Sequence, residues 1–137
     1  MFSVTNIACS TIGLLTLNML NGIIIGTTST LQSIYYMLPS NSSSLNNYKN
    51  QIESLDIEFK LKIVNDWLTK NNTTYIKDNI GQICIKISDM LDQINQKISY
   101  HNTKWLSSWR TLDIKDDIIC LEKYCNILNQ RLYLVNF

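Results

Sequence analysis

The chain has 137 residues, enough for one domain of ordinary size. Twelve Lys and Arg against eleven Asp and Glu leave a net charge of +1, with no obviously basic face. That argues against nucleic acid as the main partner, because phosphate binding needs clustered cations. Ile (20) and Asn (16) dominate, and together with Lys they are favoured by AT-rich codons. The composition therefore points to an AT-rich genome, such as that of a parasite, a slime mould or a large DNA virus.

Charge is distributed unevenly. No Lys, Arg, Asp or Glu occurs before Lys49. Within this uncharged arm (residues 1–39), Ile7 to Ile25 is 19 residues long, and 14 of them are apolar or Gly. A bilayer core of about 30 Å is crossed by about 20 mostly apolar helical residues, so Ile7–Gly26 has the length of a transmembrane helix. Asn18 and Asn21 are costly in lipid unless they find partners. The alternative is a soluble bundle in which the same helix is buried, since a helix hydrophobic all round is buried in lipid or in protein. A signal peptide is not expected, because MFSVTN lacks a basic n-region and the apolar stretch is long for a signal.

Asn18, Gly22 and Gly26 recur every four residues, and Gly22–Gly26 is a GxxxG. Small residues at this spacing form a groove in which a second helix can approach closely. The competing reading makes Gly26 a helix C-terminus. Leu31–Leu38 is too short to cross a membrane again, and Tyr35 and Tyr36 suit a headgroup layer or a helix end on a soluble core. Pro39 stops the element.

Residues 40–51 are a polar connector in which a helix can begin at Ser43 or Ser44. Over 52–69 two patterns compete. Leu55, Ile57, Phe59, Leu61 and Ile63 alternate with charged residues, which is a strand signature. Tyr48, Ile52, Leu55, Phe59, Ile63 and Trp67 form a helical stripe over the same stretch. No second alternating strand follows, so helix is preferred. Residues 75–100 make a clearer helix with its stripe at Ile76, Ile80, Ile83, Ile87, Met90 or Leu91, Ile94 and Ile98.

His101, Trp105 and Trp109 would lie in one row if that helix continued. Trp105, Trp109 and Arg110 then form a candidate binding patch, because Trp and Arg dominate interface hot spots. The plainer reading makes the tryptophans packing anchors at a turn. Ile114, Ile118, Leu121, Cys125, Leu128, Leu132 and Val135 follow a coiled-coil spacing over residues 113–135. Asp113 caps that helix, and Asp116 and Asp117 sit in its first turn. This seam requires a partner, either an earlier helix of the chain or another subunit.

No chemistry stands out. The sequence has no P-loop, GxGxxG, HExxH or GxSxG, and a single histidine. Cys9, Cys84, Cys120 and Cys125 lack zinc or disulfide-framework spacing and read as small core residues in a reducing compartment. Asp89/Asp92 and Asp116/Asp117 read as solvated faces. No cofactor, metal or catalytic residue is expected.

The expected fold is all-α: an apolar N-terminal transmembrane helix, then a bundle of about three amphipathic helices over 52–137. The expected function is a non-enzymatic, membrane-anchored structural or assembly protein, such as a small virion component of an AT-rich large DNA virus. Its expected partners are a lipid bilayer and protein, including itself through helices. The alternatives are a soluble helical adaptor whose N-terminal helices form its core, and a membrane-permeabilising oligomer.

Overall fold

A computed structural model describes residues 16–38, 43–71, 74–103 and 112–135. Among these residues there are five helices and no strand: α1 (Leu17–Met37), α2 (Ser43–Ser54), α3 (Ile57–Asn71), α4 (Thr74–Thr103) and α5 (Lys115–Val135).

The N-terminal helix departs from expectation. Thr16 caps α1, its hydroxyl accepting the Met19 N–H at 3.1 Å. The helix then runs through Gly26 and the Thr-Thr-Ser-Thr run without a break. The Thr27 hydroxyl, itself buried, donates to Ile23 O at 2.7 Å, so these threonines bond back to the preceding turn and extend the helix. The last turn closes with Leu38 N–H on Ile34 O.

The placement of α1 corrects the transmembrane reading for the part that can be described. Leu20, Leu31, Ile34 and Leu38 belong to the same core as the buried residues of α2–α5. No helix among the described residues is long and apolar enough to cross a membrane. Residues 7–15, the first half of the expected span, lie outside the described residues. The sequence pattern was ambiguous because α1 carries no charge on any face, so apolar content alone did not show which side is covered.

The second difference lies in 52–69, which is helical but not one helix. The chain breaks at Leu55–Asp56, where Asp56 has φ 54°. Asp tolerates this left-handed conformation better than most residues. Asp56 N–H bonds Glu53 O, and Asp56 O accepts from Lys60 N–H at the start of α3. The Lys60 ammonium donates to Leu55 O, satisfying a carbonyl that the break exposes. The break rephases the apolar stripe. Ile57, Leu61, Val64 and Leu68 are buried, while Phe59 and Ile63, expected in the stripe, are exposed. The apparent strand alternation is therefore two helical stripes read across a turn.

The longest helix, α4, is the centre of the bundle, with α1 and α5 packed along it. Ile80, Ile83, Ile87, Leu91, Ile94 and Ile98 are buried, as the stripe predicts, with Leu91 rather than Met90 in the shared position; Cys84 is buried beside them, and the Ile76 side chain lies outside the described residues. The polar contacts give the register. Thr30 Oγ1 lies 3.1 Å from Asp92 Oδ1, and Ser33 Oγ lies 3.1 Å from Asn95 Oδ1, so α1 runs parallel to α4. Arg131 donates to Asn79 O at 2.7 Å, Lys86 sits 5.8 Å from the Tyr124 ring centroid, and Lys97 pairs with Asp117 at 2.7 Å, so α5 runs antiparallel to α4. Tyr48 of α2 donates to Leu112 O at 3.2 Å, tying α2 to the entry of α5.

Candidate interaction surfaces

The C-terminal seam is an internal surface. Ile114, Ile118, Leu121, Cys125, Leu128 and Leu132 are buried against the rest of the bundle, with α4 as the chief neighbour of α5. Of the two partners that the seam could have taken, an earlier helix of the same chain covers it. Asp113 accepts from Lys115 N–H at 3.3 Å at the helix entry, as expected. Asp117 differs from the solvated reading. It is largely covered and pairs with Lys97, whose ammonium it holds above the ordinary lysine pKa through that hydrogen bond. Arg131 reaches across to the first turns of α4.

The Asn18/Gly22/Gly26 row points outward. All three residues are exposed, and a Cβ built on either glycine would meet nothing within 4 Å. Among the described residues the row therefore closes on no other helix. Around it the outer side of α1 exposes Met19, Ile25 (70 %) and Tyr36 (88 %), an uncharged surface bearing large apolar groups. Tyr35 turns the other way and is half-buried. Burial pushes its hydroxyl up to about 12, with Glu53, Glu58 and Asp56 adding repulsion for the phenolate. The end of α1 thus sits beside the α2–α3 turn.

Trp105, Trp109 and Arg110 lie outside the described residues. His101 is half-buried at the end of α4, and the row it was expected to share with the tryptophans is likewise outside the description.

Cys9 lies outside the described residues, and the other three cysteines behave as core groups. Cys84 and Cys125 are buried and Cys120 is half-buried, all as free thiols. The α4–α5 register sets Cys84 opposite Cys125. Burial pushes the Cys84 thiol up to about 12 and the Cys125 thiol to about 11, Lys60 partly offsetting the latter. Thiols held this strongly protonated are poor nucleophiles and poor ligands. Among the described residues no group of three or more His, Cys, Asp or Glu is placed to hold a metal ion.

The exposed side of α3 is the surface that sequence reasoning missed. Phe59 is 55 % exposed and Ile63 38 %, with Trp67 half-buried in the same row. Beside this row Glu58, Lys62, Asp66 and Lys70 are all exposed. The signal that could have found it is the Asp at position 56, whose tolerance of a left-handed turn allows the stripe to change phase.

No family model matches the chain, and no solved structure matches it. It is similar to an uncharacterized protein of Acanthamoeba polyphaga mimivirus, 36% identical over 102 residues. The match covers 69% of this chain and 47% of the relative, so the chain spans about half the length of the protein it resembles. The similarity points to a viral origin, one of the three sources that the Ile- and Asn-rich composition suggested.

Proposed function

We propose that the chain is a non-enzymatic structural or assembly component of a virus, acting through the outer faces of its helical bundle. The observation that carries this reading is the contrast between the two sides of the helices. One continuous core absorbs the periodic stripes of α1–α5, while α1 and α3 still turn large apolar side chains to the outside. Exposed apolar surface of this kind marks contact with other macromolecules. The similarity to a mimivirus protein supports the viral setting. The free, strongly protonated core thiols suit a reducing compartment during synthesis.

The test is quantitative mass spectrometry of purified particles of the virus that encodes the chain. A structural component appears at a fixed copy number per particle that survives protease treatment of the particle surface. A protein found in infected cells and absent from particles would overturn the virion assignment and leave an assembly factor or adaptor.

A second reading adds a membrane. It is favoured by one observation: the first 48 residues carry no charge, and the outward side of α1 keeps Met19, Ile25 and Tyr36 exposed. With Leu20–Leu38 contributing to the core, lipid contact falls to the apolar residues ahead of α1 and to its outer face. Alkaline carbonate extraction of membranes from cells expressing the full chain tests this. Retention in the pellet supports it, and quantitative release removes it.

A further inference from the structure

We infer that Cys84 of α4 and Cys125 of α5 are the two halves of a redox-sensitive staple: oxidation joins their Sγ atoms in a disulfide that locks α5 onto α4. The inference stands apart from the viral reading. It concerns this chain in any setting that passes from reducing to oxidising conditions.

The first observation is register. α5 runs antiparallel to α4, and two contacts bracket the site: Arg131 with Asn79 O, and Lys86 with the Tyr124 ring. Cys84 stands two residues before Lys86, and Cys125 one residue after Tyr124. The two cysteines therefore lie within about one residue, roughly 1.5 Å, of the same level. Cys125 is also the charged neighbour that opposes ionisation of Cys84, as expected of thiols close to each other.

The second observation is what fills the neighbouring layers. The same register sets Ile80 level with Leu128, Ile87 with Leu121, Leu91 with Ile118 and Ile94 with Ile114, all of them buried. Each of those layers is closed by two large aliphatic side chains. The layer between Ile80–Leu128 and Ile87–Leu121 is closed by two thiols instead, both buried. Cys120, the third described thiol, is half-buried and off that layer. Helix axes packed about 8–10 Å apart, with Cα atoms about 2.3 Å from each axis, bring directly facing Cα atoms to roughly 3.4–5.4 Å. That range overlaps the roughly 4.4–6.8 Å between Cα atoms that a disulfide spans. Core packing alone also accepts two buried cysteines. That role predicts no cross-link, and the experiment separates the two.

The oxidant is a low-molecular-weight disulfide. The thiolate of one cysteine attacks it, forming a mixed disulfide and releasing one small thiol. The thiolate of the other cysteine then attacks the protein sulfur of the mixed disulfide and releases the second small thiol. Two protein thiols and one small disulfide become one protein disulfide and two small thiols. Two electrons pass to the oxidant, and the two cysteine protons are balanced by those of the released thiols. In the closed bundle both cysteines are protonated and covered, so exchange waits for α5 to open locally. The same cover shields the finished disulfide from reductants.

The experiment incubates the reduced full chain with a mixture of oxidised and reduced glutathione, with and without urea below the unfolding midpoint. Remaining thiols are alkylated, and the unreduced tryptic peptides are mapped by mass spectrometry. Cleavage at Lys123 separates Cys120 from Cys125, so the map distinguishes their links. The inference predicts one link within the chain, between the Cys84 and Cys125 peptides, forming faster in urea. Closing the 40 residues between the two cysteines into a loop restricts the unfolded chain. Tm of the oxidised chain should therefore stand about 10 °C above that of the reduced chain and return when a reducing agent is added.

Cys125→Ala should lose both the link and the rise in Tm, and if that variant fails to fold, the wild-type map decides alone. A chain whose Cys84 and Cys125 both remain open to alkylation at equilibrium overturns the inference. So does a link made through Cys120 or between chains. A Cys84–Cys125 link that lowers Tm also overturns it, since the bond would then distort the bundle rather than hold it.

Discussion

Replacing Ile34 by Ala tests whether α1 is structural. Ile34 has no exposed surface and lies in the common core, in the stretch where Ser33 meets Asn95 of α4. Truncating a fully buried Ile to Ala costs about 2–5 kcal/mol, combining lost transfer energy with the cavity left behind. A value within that range, about 3 kcal/mol, is a large share of the roughly 5–15 kcal/mol that holds a domain folded. At about 4 °C per kcal/mol for a chain of this size, Tm should fall by roughly 12 °C. The assay is thermal unfolding of the detergent-free protein followed by circular dichroism. Ile25→Ala on the outer side of the same helix, 70 % exposed, is the control and should change stability by less than about 0.5 kcal/mol. Equal, small effects of the two substitutions would refute the packing of α1 on the bundle.

Three further predictions follow from the same geometry. Gly22→Ala and Gly26→Ala should each stabilise the chain by about 0.5–1 kcal/mol in urea unfolding, because both sit inside an exposed helical stretch where a Cβ meets nothing. A loss of stability or of association would instead assign the two glycines to a contact with another helix. Asp56→Val should cost about 1–2 kcal/mol, because a β-branched residue resists the positive φ there. Asp56→Gly should be neutral or stabilising, and equal effects of the two would remove the turn. Alkaline pH should destabilise the fold. Cys84 and Tyr35 ionise at higher pH in the folded chain than their ordinary 9.0 and 10.0, so the unfolded chain loses their protons first. Their contribution is complete below about pH 9 and is lost progressively as pH rises toward about 12. Urea midpoints across that window should fall, and Cys84→Val should flatten the start of the decline.

The sequence carried the C-terminal half of the fold well. The stripes of α4 and α5 are regular and flanked by charge, so periodicity alone marked the buried faces, from Ile80 to Ile98 and from Ile114 to Leu132. It carried the N-terminal half less well for two separate physical reasons. Along α1 nothing contrasts with the apolar positions, since its outer face is made of Asn, Gly, Ser, Ile and Tyr rather than charged residues. Total hydrophobicity then stood in for direction and suggested lipid. Around Asp56 a two-residue turn shifted the phase of the pattern, so Phe59 and Ile63 read as core while they lie outside it. The candidate sites followed the same division. The Ile114–Leu132 seam was recognised as a packing surface, and which surface it packs on depends on the long-range register set by contacts such as Arg131 with Asn79. The exposed row on α3 was legible only once the turn at Asp56 was known.

The most direct test of the account compares the full chain with one beginning at Ser40, both in buffer without detergent or lipid. If α1 completes the core, the full chain unfolds in one cooperative transition. The shortened chain then exposes the surface that Leu20, Leu31, Ile34 and Leu38 cover and loses cooperative unfolding, with aggregation or a non-cooperative helical state in its place. A shortened chain that is soluble, helical and as stable as the full one would contradict the account and return the N-terminal residues to the role of a detachable arm.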